Sequence, residues 1–296
     1  MFTVTLLSSP ARPALDPALV EALRNAWGGG TALWLAPDEA AEFEVKRVPD
    51  TGADTGADTA AELRGLGVDL AVQPTRGRRK RLLLADMDST MIGQECIDEL
   101  ADAAGVGAGV AEITARAMNG ELDFEGALRE RLALLRGRPA GLVDEVLRDR
   151  IRPAAGAEVA IATLRAKGCH CALVSGGFTA FTEAVAARLG FDEHRANVLG
   201  IRDGKLTGEA VEPILGREAK VLALQEISAR LGIEPEAAVA VGDGANDLGM
   251  LQAAGCGVAL HAKPVVAAQA PVRIDNGDLT ALLYLQGIAR DEFVTP

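Results

Sequence analysis

Long apolar runs are missing from this chain. No stretch approaches the ~20 uninterrupted apolar residues that a membrane helix needs, which sets a membrane-spanning role aside. Basic residues are in deficit, 30 against 42 acidic, for a formal charge of -12. That balance argues against a broad nucleic-acid-binding surface, which requires clustered positive charge. Cysteines are few, and Cys96, Cys169, Cys171 and Cys256 show neither metal-type nor disulfide-scaffold spacing. Cys169 and Cys171 fall on the same face of a strand and read as small buried apolar residues. The three histidines, His170, His194 and His261, follow no metal or triad spacing and read as structural. The opening MFTVTLLSSPARPAL has no basic residue ahead of its short apolar run, unlike a signal peptide, so the cytoplasm is the expected location.

With 49% hydrophobic and 24% charged residues over 296 positions, the composition is that of a globular protein with one large or two modest domains. Two regions separate near residue 75. Residues 1–75 alternate strand (2–8), helix (17–26), strand (31–35), strand (41–47), helix (58–66) and strand (68–73). That βαββαβ order suggests a small ferredoxin-like module. The near-repeat TGADTGAD at 51–58 reads as a turn-rich loop, with Asp58 or Thr59 starting the following helix. The join PTRGRRKR (74–81) is strongly basic and reads as a solvated linker, given the overall acidity.

From residue 76 onward the pattern changes. RLLLAD (81–86) is a short buried-strand pattern that ends in acid. Residues 93–166 are mostly helical in their spacing, as in FEGALRERLALL (124–135). Strands then return at CHCALV (169–174), a hairpin VLGIRDGKLTGEAV (198–211), AAVAVG (237–242) and GVAL (257–260), with helices near 178–189, 217–231 and 246–253 between them. Alternation of this kind implies a doubly wound, mostly parallel sheet, and the long helical stretch after its first strand reads as an inserted cap. In such sheets the site lies beyond the carboxyl ends of the strands.

The chemistry-bearing residues fall at those ends. Asp86 and Asp88, in DMDST, come to one side of an extended tail, where one carboxyl can attack while the other donates a proton. Alone, such a run equally suits an Asx turn or a helix cap. Ser175-Gly176-Gly177 ends the second strand ahead of a helix starting at Phe178. There it offers a hydroxyl and backbone N–H groups to phosphate. Lys220 alone suits a solvated helix face, but near a phosphoryl centre its ammonium would offset charge repulsion. Asp243 in GDGAND sits where a strand stops between two glycines. Asp86, Asp88 and Asp243 could together hold a hard cation such as magnesium, which neutralises phosphate even in an acidic protein.

Taken in order, DMDST, SGG, Lys220 and GDGAND resemble the four motifs of the haloacid dehalogenase superfamily of aspartate-nucleophile phosphatases, over about residues 81–275. The resemblance implies that Asp86 attacks phosphorus and Asp88 serves as acid, then base. It implies that Asp86, the Asp88 carbonyl and Asp243 hold magnesium. Ser175, Gly176, Lys220 and Asn246 would contact phosphate, with Asp247 supporting the metal or orienting Lys220. DSTMIGQECIDELA (88–101) and MNGELDFEGALRER (118–131) are similar to the cap of the phosphoserine phosphatases. By that similarity Glu95 receives a substrate ammonium and Arg131 its carboxylate, with Met118 and Phe124 shielding the site. A zwitterionic amino acid needs one anion and one cation, and arginine suits a carboxylate bidentately. The implied activity is hydrolysis of phosphoserine, the last step of serine biosynthesis, by a magnesium-dependent enzyme. Action on another small phosphoester, or phosphotransfer to an alcohol, is the alternative. Met87 stands where many relatives carry Phe, and the segment before Lys220 is less typical. The module at 1–75 is similar, in element order alone, to the small regulatory (ACT-like) domains of some bacterial relatives. A small-molecule substrate is expected, with no nucleic acid or membrane partner, and a homodimer is left open.

Overall fold

The computed structural model describes residues 1–49, 58–118 and 121–296, with the Met118 side chain outside that set. TGADTGA (51–57) therefore lies outside the described residues.

The first region forms β1 (Phe2–Ser8), α1 (Pro17–Ala26), β2 (Leu33–Ala36), β3 (Ala40–Val45), α2 (Thr59–Gly65) and β4 (Val68–Pro74). The strands make one antiparallel sheet in the order β2-β3-β1-β4. Asp58 caps α2, its side chain accepting from Ala61 N at 3.0 Å. The period of two divides each strand between faces. Val4, Leu6, Phe43, Val45 and Val68 pack with Val20 and Leu63 of the helices. The opposite face sends Leu7 and Ala71 into the main core.

The second region continues with β5 (Leu82–Ala85), α3 (Cys96–Ala103), α4 (Gly107–Met118), α5 (Phe124–Leu134), α6 (Leu142–Asp149), α7 (Ala157–Ala166), β6 (His170–Phe178) and α8 (Thr179–Leu189). It closes with β7 (Glu193–Arg202), β8 (Lys205–Val211), α9 (Arg217–Leu231), β9 (Ala238–Gly242), α10 (Leu248–Ala253), β10 (Cys256–Leu260), α11 (Pro264–Ala267), β11 (Val272–Ile274) and α12 (Ala281–Tyr284). Seven strands pair in the order β11-β10-β9-β5-β6-β7-β8, parallel except for the β7–β8 hairpin. The α/β, mostly parallel expectation holds.

Strand β5 shows why the sheet is covered on two sides. Leu82 and Leu84 pack with Leu224, Ile227 and Leu251, whereas Leu83 and Ala85 pack with Ile161 and Leu164. All four are fully buried, the continuous apolar run expected of a central parallel strand. Of the helices expected in the insertion, α7 packs on β6, α8 and α12, in the layer that covers the sheet. The segment before α6 leans on the hairpin: Gly137 N donates to Leu206 O (2.8 Å) and Leu206 N to Arg138 O (2.8 Å).

Two expectations are corrected. The second core strand does not stop at Val174 and hand over to a helix at Phe178. β6 runs through Phe178, which caps α8, because Phe178 pairs with Asn197 of β7. β7 also starts earlier than residue 198, since Glu193–Arg195 lie alongside β6.

Leu84→Ala should cost about 2–5 kcal/mol, since the sheet's centre cannot collapse into the vacated space. Urea unfolding would measure it, and a loss below about 1 kcal/mol would contradict this account of the core.

Candidate active site

Three adjacent strand ends, from β9, β5 and β6, open into a cavity of about 610 Å³. Asp86, Asp88, Glu95, Phe124, Arg131, Ser175, Gly176, Asp243 and Asn246 all line it. These sites span 160 residues of sequence, and parallel pairing brings them together because parallel strands end on the same side.

Asp86 follows β5 directly in extended conformation, held by its N–H to Val241 O at 3.0 Å. Beyond it the chain turns sharply, with Ser89 at φ +53°, a left-handed conformation uncommon for serine. This turn buries Met87 and returns Asp88 to the cavity, as the alternation argument expected. Asp88 Oδ1 accepts from Cys96 N (2.8 Å), and Oδ2 accepts from the Ser175 hydroxyl (3.2 Å). Burial nevertheless pushes the Asp88 carboxyl above its ordinary value, so the protonated form is favoured there.

Lys220 is no surface residue. Its Nζ lies 2.6 Å from Asp86 Oδ1 and 2.5 Å from Asp247 Oδ1, and it is 2% exposed. Burial works against its charge, but the two carboxylates hold its pKa above the usual lysine value. Burial also raises the Asp86 carboxyl, which Lys220 offsets in part and Asp247 and Asp88 reinforce.

The acids suit a cation. Asp86, Asp243 and Asp247 each offer an oxygen, and the three lie within 4.8 Å of one another. Asp247 has both oxygens engaged, Oδ1 by Lys220 and Oδ2 by Gly244 N at 2.9 Å, and it does not border the cavity. Asp86 and Asp243 do, and an all-oxygen donor set beside waters is what a hard divalent cation takes. Thr90 Oγ1 donates to Asp243 Oδ1 at 3.3 Å. Burial raises the Asp243 carboxyl.

On the helical side, Glu95 and Arg131 face the same cavity from α3 and α5. Glu95 Oε1 accepts from Ser89 Oγ at 2.8 Å, and its pKa is pushed up to about 7, first by burial and then by the Asp88 charge. Arg131 is half-buried and donates from Nε to Ala127 O at 3.2 Å. Burial works against its charge, and Asp98, Glu95 and Asp88 favour it. Phe124 stands over Gly176, where a Cβ would come within 3.0 Å of its ring. The side chain of Met118 lies outside the described residues.

This arrangement of a carboxylate pair on one strand end and a buried Lys–Asp pair behind it matches a known family. Residues 83–252 fit the model for haloacid dehalogenase-like hydrolases. The chain belongs to that family. A phosphoserine phosphatase from Streptomyces coelicolor is 45% identical over 258 residues, 86% of this chain and 62% of that protein's length. One from Polaromonas is 46% identical over 226 residues, covering 75% of this chain and 96% of the relative. Among solved structures, a haloacid dehalogenase family hydrolase from Salmonella enterica serovar Typhi aligns with TM-score 0.83 at 29% identity, over 96% of this chain and 98% of that one. A phospho-aspartyl intermediate analogue of a phosphoserine phosphatase aligns with TM-score 0.65 at 42% identity, over 70% and 98%. Among the haloacid dehalogenase-like hydrolases, the chain thus groups with the phosphoserine phosphatases.

Reading the sequence missed three residues of this hydrolase's cavity region. Asn197, 1% exposed, donates to Gly176 O (2.8 Å) and accepts from Leu215 N (2.6 Å), so it ties the phosphate loop to the segment before α9. A polar residue in an otherwise apolar stretch was the available signal. Arg217 and Lys263 line the cavity but belong to none of the four motifs.

Lys220→Met should lower stability by about 3–5 kcal/mol at pH 7, because two carboxylates lose their buried cation. Without it the Asp86 carboxyl, already raised by burial, takes up a proton in the folded protein at pH values where the unfolded chain is ionised. The loss should therefore shrink from pH 7 towards about pH 5. Urea unfolding in metal-free buffer at the two pH values checks this; equal losses would contradict it.

Proposed function

We propose that this chain hydrolyses O-phosphoserine to serine and phosphate through a phosphoaspartate on Asp86, and so completes serine biosynthesis. The observation that carries the reading is one cavity lined at once by Asp86, Asp88, Glu95 and Arg131. The first two are equipped for phosphoryl chemistry; the second two match the ammonium and carboxylate of an amino acid. The identity to phosphoserine phosphatases supports the same substrate.

Asp86 Oδ attacks phosphorus as the seryl oxygen departs, and Asp88 gives that oxygen its proton. The raised pKa of Asp88 suits it to hold the proton beforehand. After serine leaves, Asp88 takes a proton from water, and that water's oxygen attacks phosphorus, which frees Asp86 and releases phosphate. Ser175, Gly176 and Asn246 hold the phosphate oxygens, and Lys220 offsets charge between nucleophile and phosphate. Asp86, the Asp88 carbonyl and Asp243 would hold magnesium, with Asp247 supporting from behind. Bound there, magnesium would neutralise the phosphate and polarise its oxygens. Phe124, standing over Gly176, shields the reacting centre.

Residues 1–75 are read as a ferredoxin-like, ACT-like module and residues 76–296 as the phosphatase domain, with a helical cap over about 93–166. The four-stranded order β2-β3-β1-β4 supports the first assignment. No helix among the described residues is long and apolar enough to cross a membrane, which accords with a cytoplasmic enzyme that acts on a small solute.

Phosphate release from phosphoserine, phosphothreonine and an aryl phosphate, with and without magnesium, tests the proposal. A strong magnesium-dependent preference for phosphoserine, abolished in Asp86→Asn, is expected. Activity on the aryl ester alone would discard the serine assignment, and wild-type rates in Asp86→Asn would discard the nucleophile.

Glu95 gives a pH signature. With its pKa near 7, the side chain is neutral below that pH and cannot hold an ammonium. The KM for phosphoserine should rise as pH falls through about 7, while that for an aryl phosphate, which has no ammonium, should not follow. Parallel profiles would remove Glu95 from ammonium recognition.

A further inference from the structure

The sheet of residues 1–74 contributes nothing to the lining of the catalytic cavity, yet its buried polar contacts lead there. Asp69 in β4 is fully buried and accepts four hydrogen bonds from the loop after β11. Its Oδ1 accepts from Asp275 N (3.0 Å) and Asn276 Nδ2 (3.0 Å); its Oδ2 accepts from Asn276 N (2.9 Å) and Gly277 N (2.8 Å). A buried carboxylate this fully engaged fixes the backbone that surrounds it.

The same loop holds His261. Gly277 O lies 2.8 Å from His261 Nε2, so Nε2 carries the hydrogen, and His261 N donates to Ile274 O at 2.8 Å. His261 has φ +46°, a left-handed conformation that histidine adopts uncommonly and that these two bonds hold. Two residues on, Lys263 N donates to Asp243 O at 3.3 Å, and Lys263 O accepts from Val266 N and Ala267 N at the start of α11. The Lys263 side chain lines the cavity together with Asp243 and Glu95. Its charge favours the ionised form of each of these acids.

Five acids, Asp86, Asp88, Glu95, Asp123 and Asp243, line this cavity against three cations, Arg131, Arg217 and Lys263. Even with Asp88 protonated, four of these acids remain, and an anionic phosphate monoester approaching them meets a repulsion that a cation on the same cavity reduces. Lys263 is exposed, so its pull acts on the incoming ligand and is screened by salt.

We propose that Lys263 is a substrate-directing residue, and that Asp69, through loop 275–277 and His261, is the remote positioning residue that holds it at the cavity. The inference rests on the phosphatase reading above and gives the amino-terminal sheet a part in that reaction.

Steady-state kinetics of the full chain with magnesium and phosphoserine, over a range of ionic strength, test it. Lys263→Met should raise KM about tenfold at low salt with kcat within about twofold, and flatten the salt dependence of kcat/KM. Lys263→Arg should retain most of the wild-type KM. His261→Asn keeps a residue that tolerates the left-handed conformation but loses the reach to Gly277. It and Asp69→Asn should raise KM in the same direction, and neither should add to Lys263→Met in the double variant. Wild-type KM and salt slope in Lys263→Met would overturn the directing role. An undiminished His261→Asn effect in the Lys263→Met background would overturn the positioning route, and it does so even where Asp69→Asn fails to fold. No phosphoserine turnover by the wild type would instead overturn the phosphatase reading, and this inference with it.

Discussion

One buried ammonium organises the catalytic end of this molecule. Lys220 reaches from α9 to lie between Asp86 at the end of β5 and Asp247 ahead of α10. Ion burial costs several kcal/mol each, so the arrangement holds only because all three charges are satisfied together. Asp247 spends its second oxygen on Gly244 N, which shapes the loop that carries Asp243 and Asn246. A Cβ at Gly242 would collide with the Asp247 side chain at 2.4 Å, so the loop closes this tightly only around glycine. Asp86, Asp243 and Asn246 are therefore placed by one shared ion pair.

That constraint explains how an acidic protein can handle an anionic ester. Asp86, Asp88 and Asp243 all have raised pKa values through burial, so their surroundings resist holding every charge at once. A divalent cation at Asp86 and Asp243 would relieve this and draw the phosphate in the same step. Asp88 differs, since Cys96 N and Ser175 Oγ already engage its oxygens. The two carboxyls of one short motif thus sit in different surroundings, Asp86 against Lys220 and Asp88 against Cys96 N and Ser175 Oγ.

Much of this was legible in sequence, for a physical reason. Short apolar runs that stop in Asp or Ser-Gly-Gly mark buried parallel strands whose ends carry polar groups, so Asp86, Asp88, Ser175 and Asp243 stood out. Lys220 was legible only through resemblance, because nothing local distinguishes a buried lysine from a solvated one. The extension of β6 to Phe178 was hidden by its glycines, which read as a turn although the strand passes through an irregularity there and pairs with β7 again at Phe178. The early start of β7 was hidden by the charged run Glu193-His194-Arg195. Asn197, Asp69 and Lys263 escaped because their partners lie far along the chain, and long-range hydrogen bonds leave no periodic trace.

The architecture also separates two kinds of selectivity. Asp86, Asp88, Ser175 and Asp243 lie at strand ends at the centre of the sheet, where packing on two sides leaves little freedom. Glu95 and Arg131 instead face the cavity from the start of α3 and from α5, and α5 packs on β8 of the hairpin. A change of substrate class can therefore occur on the helices without disturbing the Lys220 pair.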